Sequence, residues 1–156
     1  MSSDEEFSDV DAGASDTQSQ KAGKIRKGAF IVINNRPCKV VDISTSKTGK
    51  HGHAKASITA LDIFNGKKYE TMCPTSHNVE IPIINRSEWQ VVDVDDEGYC
   101  SLMNSNNEEK SDLKVLDETM LQGIRDALDA GEETVLVSVM ESMGTEQIME
   151  WKTVKE

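Results

Sequence analysis

Residues 36–63 read RPCKVVDISTSKTGKHGHAKASITALDI. The two flanks, 36–43 and 54–63, are rich in Val, Ile and Thr interleaved with polar residues, the period-two pattern of half-buried strands. Between them, residues 44–53 contain no apolar side chain. Burial gains such a segment nothing, so it projects into solvent as the loop of a hairpin. Gly49 and Gly52 bracket Lys50 and His51 and allow backbone angles that other residues resist, which predicts a narrow tip with Lys50 standing clear of it.

Working outward, the runs 28–33, 67–73 and 77–83 have the same β-rich composition, punctuated by Asn34-Asn35, Asn65-Gly66 and Pro74. Five strands with tight turns and no helical period between them predict a small barrel of the SH3-like kind. The second half opens with strand-like runs at 89–94 and 99–103 around a turn at 95–98, and the polar stretch 104–112 reads as a loop. From Asp117 the period changes. Leu121, Ile124 and Leu128 fall on one helical face, Asp117 and Glu118 suit an N-terminus and Gly131 a C-cap, giving a helix of about 13 residues. Runs at 134–140 and 147–154 then form a hairpin through Met143-Gly144-Thr145. This order predicts a five-stranded OB fold, with a small α+β sandwich as the alternative. The expected fold class is therefore mainly β: an SH3-like barrel, then an OB fold with one short helix.

Charge divides the chain in the same place. Residues 1–20 carry six acids and no base, and read as a disordered acidic tail. Residues 21–83 carry eleven bases against four acids, the profile of a phosphate-binding module. Residues 84–156 carry six bases against eighteen acids, and the whole chain sums to -11. The acidic half, with only Trp89, Tyr99 and Trp151 as large rings, is assigned no independent nucleic-acid affinity; its aromatics read as core. Around the loop the balance is reversed: residues 43–61 hold Lys47, Lys50, Lys55, His51 and His53 and no acid. Such a tip is drawn to phosphate.

Enzyme chemistry finds little footing. Residues 44–51 approach the phosphate-loop pattern, but Ser44 stands at its first glycine, His51 at its magnesium-binding hydroxyl, and a strand follows where a helix is needed. His51, His53 and His77 lack cysteine or carboxylate partners at ligand spacing, so no metal is expected. A glycine-flanked exposed Lys50 lacks the desolvating pocket that would lower its pKa for catalysis. Cys38, Cys73 and Cys100 lie far apart inside strand-like runs and read as buried free thiols. No membrane span or secretory signal is legible, which fits a cytoplasmic protein. The expectation is a non-catalytic protein without cofactor.

The run STSKTGKHGHAK at 44–55, with LDIFNGKKYE at 61–70 and CPTSHNVEIP at 73–82, closely resembles the translation initiation factor 5A family, the hypusine-containing factors. The resemblance is strong over residues 24–84 and looser beyond, through the order of strands and helix; the 104–109 loop follows the family pattern only loosely. It implies that Lys50 receives an aminobutyl group from spermidine through deoxyhypusine synthase and is completed as hypusine by deoxyhypusine hydroxylase. Lys47, Gly49, His51, Gly52 and Lys55 are implied to support the modified lysine or face RNA. The implied partners are the ribosome at its exit site, the large-subunit rRNA and the acceptor end of peptidyl-tRNA. The implied work is help with slow peptide bonds, such as proline runs, and with termination. A general RNA-binding module and a protein-interaction adaptor using the acidic half remain as alternatives. Ser2 and Ser3, just before Asp4, Glu5 and Glu6, suit acid-directed phosphorylation.

Overall fold

Alternating side chains bury one face of a strand only if its partners hold it in register, and the first half of the chain supplies those partners within a few residues of one another. The computed structural model describes residues 16–47 and 54–155, and the chain divides after Ile83 into two units. The first contains β1 (Thr17–Lys21), β2 (Phe30–Ile33), β3 (Arg36–Lys47), β4 (Ala54–Asp62), β5 (Lys68–Pro74) and β6 (Asn78–Pro82). A four-stranded antiparallel sheet runs in the order β2-β3-β4-β5, and β1 pairs with β6. Ile25, Ile31, Ile33, Cys38, Val40, Ala56, Ile58 and Ala60 form the core, with Val79 and Ile81 of β6 packed against it. The sequence predicts a small SH3-like barrel, and the structure has a half-barrel sheet of that kind. Asn34 and Asn35 both adopt positive φ, 52° and 64°, as the two-residue β2–β3 turn requires.

β3 and β4 pair from Cys38↔Asp62 to Lys47↔Ala54, with a register shift between Val40 and Asp42. Val41 is the extra residue of a β-bulge, so that Val40 and Ile43 both turn toward the core while Asp42 is exposed. Residues 44–47, read from sequence as loop, are strand. Backbone pairing with 54–57 sustains them, although all four side chains are exposed. Residues 17–20 also correct the sequence reading, which placed them at the end of a disordered tail; with Lys21 they are strand. They form β1, held to β6 in register from Thr17↔Pro82 to Lys21↔Asn78.

The β4–β5 turn closes on Asp62, whose side chain is fully buried. It accepts from Arg36 Nε at 2.6 Å and from the backbone N–H groups of Phe64 (2.8 Å) and Asn65 (3.2 Å). Burial pushes this carboxyl up, but the guanidinium and the two N–H donors outweigh it and hold it below the ordinary carboxylate range.

The second unit contains β7 (Ile84–Val94), β8 (Tyr99–Met103), β9 (Glu109–Lys114), α1 (Glu118–Ala130), β10 (Thr134–Ser142) and β11 (Thr145–Val154). The sheet order is β9-β8-β7-β10-β11, the expected OB arrangement. Lys110 of β9 bridges Glu146 of β11 at 2.8 Å, so the first and last strands of that order curl toward each other. Helix α1 has the bounds read from sequence: Asp117 caps it by accepting from Met120 N–H at 3.1 Å, and Gly131 ends it at φ 67°. Ile124 is fully buried in the core with Val91, Leu102, Val135, Val137 and Val139. β9 begins inside the stretch read as loop. Its sequence EKSDLK buries only Leu113 and its register shifts between Lys110 and Leu113, so no period-two signal survives.

Gly123 lets α1 lie against the indole of Trp151. A Cβ there would sit 3.0 Å from Cη2 and 3.2 Å from Cε2. Gly123→Ala is therefore expected to lower stability by about 1–3 kcal/mol through overpacking, read by thermal unfolding together with a shift in tryptophan emission. Asp62→Ala orphans a guanidinium and two turn N–H groups, and is expected to cost about 3 kcal/mol in urea unfolding at pH 7. The native carboxyl titrates below its unfolded value, so its stabilisation is present above about pH 4 and lost as the pH falls through the folded pKa; the difference between wild type and variant should shrink at pH 3.

Candidate nucleic-acid interface

The hairpin stem carries the candidate site. Its last described pair is Lys47↔Ala54, preceded by Ser46↔Lys55 and Thr45↔Ala56. Lys47 and Lys55 are exposed on either side of the stem, while Ala56 is fully buried beneath it. The assignments to Gly49, Lys50, His51 and Gly52 lie outside the described residues, as do those to Ser2 and Ser3.

Two further segments are fixed at this end of the sheet. Thr75 N–H donates to the Ala54 carbonyl at 3.0 Å, and Pro74 stands opposite Lys55 in the β4–β5 register. The short turn Ala22–Lys24 is bonded to the same place, through Ala22 N–H to His77 O (2.9 Å) and Gly23 N–H to Thr75 O (3.0 Å). Lys21 Nζ donates to Ser76 O at 3.0 Å. Lys21, Lys24, Lys47, Lys55 and His77 are thus gathered at one end, all of them exposed. Among the described residues no ion pair engages any of the four lysines. Unpaired surface cations on a rigid support are free to meet phosphate. Sequence reasoning found Lys47 and Lys55 from the loop. It missed the contribution of His77 and Lys21, since only β1–β6 pairing and the turn contacts bring them here.

Among the described residues the remaining candidates lie apart from one another. His77 lies in this basic end, whereas His51 and His53 fall outside the described residues, and no group of three or more His, Cys, Asp or Glu side chains suited to a metal occurs among the described residues. Cys38 and Cys100 are buried and free, as expected, and Cys73 is half-buried. Burial pushes all three thiols up, Cys100 to about 11, which keeps them protonated and unreactive near neutral pH. In the second unit Trp89 packs against the core as expected, but Tyr99 is 40% exposed and Trp151 36%: Tyr99 opens β8 on its outward face, beneath the Lys114 ammonium, and Trp151 lies over Gly123. No described helix is long and apolar enough to cross a membrane.

Two family models match this chain. One, Translation initiation factor 5A-like, N-terminal, covers residues 15–77; the other, Eukaryotic elongation factor 5A hypusine, DNA-binding OB fold, covers residues 83–152. The chain is 54% identical over 149 residues to Eukaryotic translation initiation factor 5A-1 of Arabidopsis thaliana, covering 94% of each. It is 51% identical over 158 residues to Eukaryotic translation initiation factor 5A of Zea mays, covering 99% of this chain and 98% of the relative. A solved family protein from Naegleria fowleri superposes with TM-score 0.81 at 46% identity, over 88% of this chain and 99% of that one. The protein from Methanococcus jannaschii does so with TM-score 0.69 at 29% identity, over 92% and 100%. Fold and matches together define a translation factor with a hypusine-type domain. The chain belongs to the eukaryotic translation initiation factor 5A family.

Lys47 and Lys55 are exposed and unpaired, so truncating them touches no packing. Lys47→Ala and Lys55→Ala are expected to change stability by less than about 0.5 kcal/mol in thermal unfolding, which separates any loss of binding from loss of fold.

Proposed function

We propose that this protein acts without catalytic chemistry of its own, in the cytoplasm, by binding the ribosome near its exit site and presenting a hypusine side chain at Lys50 to the acceptor end of peptidyl-tRNA. The observation that supports this reading is the β3–β4 stem, whose last described pair is Lys47↔Ala54 at the basic end of the first unit; Lys50 follows Lys47 by three residues in the sequence. The four lysines around that end, which enter no ion pair among the described residues, supply attraction for the large-subunit rRNA.

The modification has a clear physical purpose. Lysine is a flexible four-carbon stem with one ammonium. Transfer of an aminobutyl group from spermidine by deoxyhypusine synthase roughly doubles its length and adds a second cationic nitrogen, making an arm thin enough for an RNA-lined cleft that no backbone enters. The hydroxyl added by deoxyhypusine hydroxylase donates and accepts, which suits sugar and phosphate oxygens. Holding the acceptor end in a productive orientation lowers the barrier of slow peptide bonds, such as those in proline runs, without acid–base chemistry. The same positioning would assist termination.

The test compares peptide-bond rates on a proline run in a reconstituted system with modified protein, unmodified protein and Lys50→Arg. Orientation effects of this kind predict stimulation of about tenfold or more by the modified protein and little by the other two. Equal stimulation by all three would reject the role of the arm. A graded loss shared by Lys47, Lys50 and Lys55 substitutions would instead identify a general RNA-binding module.

A further inference from the structure

Cross-strand neighbours share a face, so the outward side of the β3–β4–β5 sheet is laid out in rows parallel to the tip. The row nearest the Lys47↔Ala54 end contains Ser46, Lys55 and Pro74, and the next contains Ser44, Ser57 and the exposed Met72. The third row is Asp42–Thr59–Glu70, with a carboxylate on each side of a threonine. Beyond it, Lys39 and Lys68 flank Leu61. The acids therefore interrupt a face that otherwise carries lysines at both ends and uncharged side chains, three hydroxyls and Met72, between them.

Neither carboxylate is consumed by structure. Asp42 is exposed and enters no ion pair among the described residues, and Glu70 has only Lys68 at 4.0 Å, both side chains being largely exposed. Removing both charges would leave a strip from Lys55 to Lys39 and Lys68 about 20 Å long and free of negative charge, on which a flexible RNA backbone could lie lengthwise. With the charges present, the acid row stands about 14 Å from the Lys55 row and about 7 Å from the Ser44–Ser57 row. Screening length at physiological ionic strength is about 8 Å. The acids thus leave the attraction of the tip intact and oppose a phosphate that advances past the serines.

We propose that Asp42 and Glu70 form an electrostatic stop that confines RNA to the basic end of the first unit marked by Lys21, Lys24, Lys47 and Lys55, so that the protein engages its RNA end-on and rejects unstructured strands that would otherwise bind along the sheet. This rests on the proposed function above and assigns a specificity role to two residues away from the loop. The stop works against wrong partners and adds nothing to the correct one.

The experiment measures dissociation constants of the full-length protein for a uridine 20-mer and for ribosomes at about 0.15 M salt. For Asp42→Asn/Glu70→Gln, binding to the 20-mer is expected to tighten about three- to tenfold with a steeper salt dependence, while ribosome affinity changes less than about twofold. Unchanged binding to the 20-mer, or equal tightening on both, would overturn the stop. Ser57→Asp provides a second, independent variant by moving the acid row one step toward the tip; it should weaken ribosome binding at least about threefold, and no weakening would count against the proposal. Lys47→Ala/Lys55→Ala reports on the underlying reading alone: if that pair leaves ribosome binding unaltered, the basic end is not the interface, whatever the acid variants do to the 20-mer.

Discussion

A single extra residue in β3 governs what the first unit can present. Side chains on a strand alternate strictly, so without the bulge at Val41 every residue from Asp42 onward would change faces, sending Ile43 to solvent and Asp42 into the core. The bulge satisfies both ends of the strand at once. Val40 and Ile43 stay on the buried side, and the polar continuation that carries Lys47 is paired to the end of the sheet. The identity of the residues flanking the connection 48–53 follows from that register.

Pairing through the backbone is also what allows the outer part of the stem to be so polar. Residues 44–47 contribute nothing to the core, yet they are strand because residues 54–57 accept and donate along their length. The apolar work is done further down by Ile31, Val40, Ile58 and Ala60. Separating the two tasks leaves the outward side chains free to be chosen for charge, and that freedom is used for lysines and hydroxyls near the tip and acids behind them. At the opposite end of the hairpin, Asp62 turns the chain and anchors Arg36, which fixes the β4–β5 connection from within.

What could be read in the sequence was what is encoded locally. Helix α1 was legible because Asp117 and Gly131 act on their own neighbours, and the β2–β3 turn because Asn34-Asn35 tolerates left-handed backbone whatever surrounds it. The candidate site was legible through composition: a polar, acid-free stretch between two alternating strands. β9 and the outer half of β3 were not, since both are polar strands whose only reason for being extended is a partner distant in sequence. β1 failed for the same reason; TQSQK has no apolar residue, and its order comes from Asn78–Pro82. The gathering of Lys21 and His77 beside Lys55 depends on those pairings and was invisible without them. Tyr99 and Trp151 were misjudged as core because side-chain size predicts average burial, whereas their position at a turn and over a glycine decides it here.

β1 has one more consequence. Gln18, Ser19 and Gln20 point into water, and the strand is gripped by its peptide groups along β6. At these three positions a clasp of that kind is indifferent to the side chain, so they can drift in sequence or accept a chemical tag without letting go, as long as no proline removes a donor that β6 needs.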